Sequence, residues 1–216
     1  MSKELKCMIF DMDGTLVDSE KVYQVGFRRA FDHFDIEISH DEIVTFSGLS
    51  GEEEMELLDT YTKDRAVSED LFSRMMTYCM GEFSEDRVQL KSHAISLLQH
   101  CKEQGLKVGL ATSTHEKDAV RLLKKLAIFP YFDFFVFGDH VETPKPDPAN
   151  YKLALQRSGS LASECLAVED SRSGVTSAHL AGIAVVQICD DTKPVDLADY
   201  HITSLQEIEG IMANKK

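Results

Sequence analysis

No apolar stretch in the 216-residue chain approaches the ~18 residues that a membrane-spanning helix requires. The opening residues Met1 to Lys6 lead into a short strand-like run rather than a secretion signal, so neither membrane insertion nor export is expected. Cysteine is scarce: Cys7, Cys79, Cys101, Cys165 and Cys189 are odd in number and show no C-x-x-C spacing. That excludes a disulfide framework and a zinc site and points to a reducing, cytoplasmic setting. Basic residues are outnumbered, 23 against 37 acidic, and the net charge of −14 has no offsetting basic cluster. Nucleic acid and anionic lipid are therefore poor partners. Low-complexity tracts and internal repeats are also missing. With 43% hydrophobic and 28% charged residues, the chain is neither disordered nor fibrous. It is long for one compact domain and short for two independent ones, which predicts a large domain carrying an insert, as a monomer or weak dimer.

What is present is an alternation of short apolar runs and longer amphipathic stretches. Residues 7–10, 108–111, 134–137, 166–168 and 183–188 read as strands that are almost continuously apolar, as strands buried on both faces should be. Helix starts lie between them. Ser92 precedes Leu97, Leu98 and Cys101, and Ser113 with Glu116 forms a capping-box pattern. Asp147 and Pro148 open a further helix that Gly159 closes. Strand then helix, repeated, predicts a Rossmann-like α/β fold: a parallel sheet with helices on both faces. From about Ser19 to Glu85 the alternation stops. Tyr23, Phe27, Ala30, Phe31 and Phe34 recur at helical spacing, as do Phe72, Met75, Met76, Cys79 and Phe83. Ser39 with Glu42, and Ser50 with Glu53, mark two more helix starts. The expected organisation is an α/β core domain of residues 1–17 and 87–216 with an inserted helical cap domain over 18–86. The aromatic and Met stripes are read as packing between cap helices.

The first strand ends in Phe10-Asp11-Met12-Asp13-Gly14-Thr15. Two carboxylates two residues apart project the same way at a strand's carboxyl end, where open α/β sheets place ligands. Like charges that close need a cation between them or a shared proton. Glu169 and Asp170 form a second acidic pair at the end of another expected strand. A third strand ends in Thr112, followed by Ser113 and Thr114 at a helix start whose amides can hold an anion. Lys145, flanked by Pro144 and Pro146, follows a fourth strand. Acidic groups, hydroxyl and amide donors and a fixed cation at one sheet edge suit Mg²⁺ and a phosphoryl group.

With these segments in order, the sequence resembles the haloacid dehalogenase superfamily, in its phosphatase and β-phosphoglucomutase-like branch with a small helical cap. Residues 11–20 are similar to that family's first signature and Thr112 to its second. Lys145 within Lys145-Pro146-Asp147-Pro148 is similar to the third, and Glu169-Asp170-Ser171 to the fourth. The resemblance implies that Asp11 attacks phosphorus to form an aspartyl-phosphate, with Asp13 as acid and then base. It further implies Mg²⁺ held by Asp11, the Asp13 carbonyl and Asp170. Glu169 is either a fourth protein ligand or the orienter of a bound water. Thr112, the amide of Ser113 and Lys145 would hold phosphoryl oxygens, in a reaction that is mostly positioning and electrostatics.

The expected activity is hydrolysis of a small phosphate monoester, such as a mono-phosphorylated sugar. A sugar phosphomutase is the alternative, and a catalytically silent phosphate-sensing or partner-binding protein is a third reading. In mutases the resemblance implies a cap histidine about twelve residues after the nucleophile, where this chain has Tyr23, and an arginine where it has Gly51. Both departures favour hydrolysis. The cap loop containing Gly48 and Ser50 is expected to face substrate. His115 is a lesser candidate contact, and Ser171 is read as a helix cap.

Overall fold

The computed structural model describes residues 4–46, 49, 51–84, 88–189 and 192–214. In chain order, β1 (Cys7–Phe10) and the short β2 (Val17–Asp18) are followed by α1 (Glu20–His33), α2 (His40–Val44), α3 (Gly51–Thr62) and α4 (Arg65–Ser84). Then come β3 (Gln89–Leu90), α5 (Ala94–Glu103), β4 (Lys107–Ala111), α6 (Glu116–Lys125), β5 (Phe134–Val136) and α7 (Ala149–Ser158). The chain ends with β6 (Cys165–Glu169), α8 (Arg172–Leu180), β7 (Ala184–Ile188), β8 (Tyr200–Ile202) and α9 (Ile208–Ala213). No helix among the described residues is long and apolar enough to cross a membrane.

Two compact units form, one of Met1–Val17 with Leu90–Lys216 and one of Asp18–Gln89. The first is a six-stranded sheet of order β5-β4-β1-β6-β7-β8, parallel throughout. Every residue of β1 and β6 is buried, which explains their unbroken apolar sequence. Phe10 lies opposite both Leu110 and Val168, so three adjacent strands end at one level: β1 into Asp11, β4 into Thr112 and β6 into Glu169-Asp170. This central carboxyl edge is where an open α/β sheet forms a ligand crevice. The fold is the parallel α/β arrangement the sequence predicts, with β8 as an additional edge strand whose three residues are too few to show a period.

The second unit is helical. The stripe on α1 is core, with Phe27, Ala30 and Phe31 buried. Phe27 and Phe31 meet Phe46 at ring-centroid distances of 4.5 and 6.1 Å, and Tyr61 joins at 5.4 Å from Phe31. On α4, Met75 and Cys79 are buried whereas Met76 is exposed. The Ser39–Glu42 capping box forms in full.

Other helix starts differ from expectation. The N-cap of α6 is His115 and no Ser113–Glu116 capping box forms. Instead the Glu116 amide donates to the Asp139 carboxylate at 3.0 Å, so a distant side chain takes the donor that a local one was expected to satisfy. Similarly, α5 starts after His93, in a left-handed conformation, rather than at Ser92.

Candidate active site

The parallel register gathers the acidic pairs. Asp11 is buried just past β1, and its amide donates to the Val168 carbonyl at 3.0 Å, clamping it to β6. Glu169 and Asp170, both buried, continue β6. One carboxylate oxygen from each of Asp11, Glu169 and Asp170 falls within a cluster no wider than 4.8 Å. Lys145 reaches this cluster from the segment after β5, and its side chain is only 4% exposed. Its Nζ donates to Asp11 Oδ1 at 2.7 Å, Glu169 Oε1 at 2.6 Å and the Ala111 carbonyl at 2.9 Å. All three protons of the ammonium are thereby engaged. The Lys145–Pro146 peptide is cis.

Burial pushes the Asp11 carboxyl above the ordinary carboxylate range, while the adjacent Lys145 pulls it back down. Burial also raises Glu169, to about 7, with Lys145 opposing and the Asp11 charge adding to the rise. For Lys145 burial works against the charge, but Asp11 and Glu169 outweigh it and hold the ammonium protonated far above neutrality.

Asp13 is half-buried, and its Oδ2 accepts a hydrogen bond from the Thr114 hydroxyl at 2.7 Å. Thr112 is buried; its hydroxyl accepts from the Thr114 amide at 3.0 Å. Ser113 is exposed at the same edge, as is His115. Ser171 Oγ accepts from the Gly174 amide at 3.1 Å and caps α8, as read from sequence. Gly48 and Ser50 lie outside the described residues.

Two features of this edge were not singled out in the sequence. Tyr151, fully buried, donates its hydroxyl to Glu169 Oε1 at 2.6 Å. Asn150 donates from Nδ2 to the Thr112 carbonyl at 3.2 Å. Both stand in the first turn of α7 after the Lys145 segment, and Tyr151 reads in sequence as an apolar core position. Only a polar rim partner distinguishes it, and that partner is remote along the chain.

The donor set suits a hard divalent cation, being all oxygen and mostly carboxylate. One of these oxygens has its valence uncommitted. Glu169 Oε2 is buried without a hydrogen-bond partner among the described residues. A Cβ on Gly174 would lie 1.9 Å from that oxygen, and one on Gly14, whose φ is +73°, would lie 2.0 Å from Asp170 Oδ2. Glycine at both positions lets the two acids approach the backbone closely.

A buried lysine and clustered carboxylates at the carboxyl edge of a parallel sheet are a constellation suited to a hydrolase that handles anionic groups. The chain belongs to the haloacid dehalogenase-like hydrolase family, which it matches over residues 8–188. It is 32% identical over 179 residues to a phosphorylated carbohydrates phosphatase of Thermotoga maritima, covering 83% of this chain and 82% of that protein. It is 26% identical over 200 residues to phosphoglycolate phosphatase of Salmonella typhimurium, covering 83% and 79%. A solved Thermotoga maritima structure, assigned as a β-phosphoglucomutase, superposes with a TM-score of 0.76 at 29% identity over 97% of this chain and 99% of that one. The protein is thus a phosphoric monoester hydrolase of this family.

Proposed function

We propose that the protein is a Mg²⁺-dependent phosphatase that hydrolyses a small phosphate monoester, a sugar phosphate being the preferred class, through an aspartyl-phosphate on Asp11. The observation that carries this reading is the Lys145 ammonium bonded at once to Asp11 and Glu169, 2.7 and 2.6 Å away, beside Asp170. Asp11, Glu169, Asp170 and the Asp13 carbonyl would hold the cation, which supplies positive charge to the phosphoryl oxygens when bound.

An Asp11 carboxylate oxygen attacks phosphorus as the ester P–O bond breaks. Asp13 gives its proton to the departing alkoxide. A water molecule then attacks the phosphoryl group, Asp13 takes that water's proton, and the Asp11–phosphorus bond breaks. Inorganic phosphate leaves and both carboxyl groups return to their starting states. Thr112 and the Ser113 amide would hold the phosphoryl oxygens, and Lys145, whose three protons are already engaged, would lend its positive charge beside them. Thr114, on the Asp13 carboxylate at 2.7 Å, orients the acid–base group. The hydrolase reading is favoured over the mutase by the named activity of the 32% identical relative and by Tyr23 and Gly51 in the helical unit.

A panel of phosphorylated sugars and small organic acids with Mg²⁺ tests this by release of inorganic phosphate. Activity is expected in wild type and absent from Asp11→Asn and in EDTA. A hexose 1-phosphate converted to its 6-phosphate, with no free phosphate, would establish the mutase instead.

A further inference from the structure

Gln187 is an unusual residue for its place. It lies on β7 directly opposite Glu169 of β6, among Val185, Val186 and Ile188, and is fully buried. An aliphatic side chain would serve packing there, and burying a carboxamide is costly unless it is hydrogen-bonded. Gln187 meets that condition entirely with backbone groups. Nε2 donates to the Asp170 carbonyl at 3.1 Å and the Lys193 carbonyl at 3.0 Å, while Oε1 accepts from the Val195 amide at 2.8 Å. Two carbonyls at one end and an N–H at the other dictate which way the amide points. Thr192 adds a second donor to the same Asp170 carbonyl, at 2.8 Å. The peptide of Asp170 is therefore clasped from β7 and from the segment that follows it. On its side-chain end the Thr15 hydroxyl reaches Asp170 Oδ1 at a longer 3.3 Å.

We infer that Gln187, with Thr192, is a positioning residue for Asp170: it fixes the peptide from which the Asp170 carboxylate projects toward Asp11 and Glu169. This rests on the proposed role of Asp170 in holding a divalent cation. Partners behind a ligand typically alter metal affinity by about 10–100-fold when removed.

The test measures Mn²⁺ binding by calorimetry and the Mg²⁺ dependence of turnover in wild type, Gln187→Leu, Thr192→Val and Asp170→Asn. Gln187→Leu is expected to weaken Mn²⁺ binding at least about tenfold. Thr192→Val, which removes one of two donors, should weaken it about fivefold. In both, the Mg²⁺ concentration for half-maximal rate rises while kcat at saturating Mg²⁺ stays within about threefold of wild type, which general loss of structure would not produce. Folded variants that bind Mn²⁺ as wild type does would overturn the inference and leave the proposed function standing. If Gln187→Leu does not fold, Thr192→Val decides alone by the same criterion. Wild type and Asp170→Asn binding Mn²⁺ alike would remove the cation site and the inference with it.

Discussion

Among the described residues, Glu169 carries two donors, Lys145 and Tyr151, on Oε1 and none on Oε2. Burial lifts its folded-state value from 4.5 to about 7, so without a cation the folded protein binds this proton more tightly than the unfolded chain. The resulting stability is fully present below pH 4.5 and lost as the pH rises through about 7. Urea unfolding of metal-free protein at pH 5 and pH 8 is expected to show wild type losing on the order of 2–3 kcal/mol more than Glu169→Gln between the two. Equal losses in the two proteins would contradict the assignment. The residue type was legible in sequence, as an acidic pair at a strand end. The perturbation was not, because it comes from burial and from the Asp11 charge, opposed by Lys145, 24 positions away, and Tyr151, 18 positions away, and all of these follow from the assembled sheet.

At the scale of elements, local signals succeeded where the partner was local. Ser39 and Glu42 are three residues apart and close their box as the spacing predicts. Ser113 and Glu116 have the same spacing, but Asp139 captures the Glu116 amide and shifts the helix start. Close packing of helices was likewise hidden. Gly26 on α1 faces α4 so closely that a Cβ would lie 2.4 Å from Cys79 Sγ and 3.1 Å from the Met75 carbonyl. Gly26→Ala should therefore destabilise the helical unit by about 1–3 kcal/mol through overpacking. This runs against the roughly 1 kcal/mol that alanine gains over glycine in a helix. Urea unfolding followed by circular dichroism reads the sign, and a stabilised variant would contradict the packing argument.

The molecule as a whole carries a net charge of −14, yet its proposed substrate is an anion. The Lys145 ammonium is fully engaged by Asp11, Glu169 and the Ala111 carbonyl, so the attraction for a phosphate must be local. At distances beyond about 10 Å the field is repulsive and screened by salt. Raising KCl from about 20 to about 150 mM should lower KM for a phosphate monoester, with little change in kcat. A KM that rises with salt would show that long-range attraction dominates instead.

The sequence by itself determined the parallel α/β layering, the helical interruption and the identity of the four signature segments. Strand burial, helical periodicity and charged strand ends are each written over a few consecutive residues. Only the tertiary structure decided how those segments act on one another. The register ends β1, β4 and β6 at one level, so Asp11 leaves the sheet between the strands that lead to Thr112 and to Glu169-Asp170. Tyr151 and Gln187 become polar supports rather than apolar filler. The physical reason is that a hydrogen bond to a buried group depends on which backbone and side-chain atoms meet after the sheet assembles, and those pairings join positions that share no local pattern.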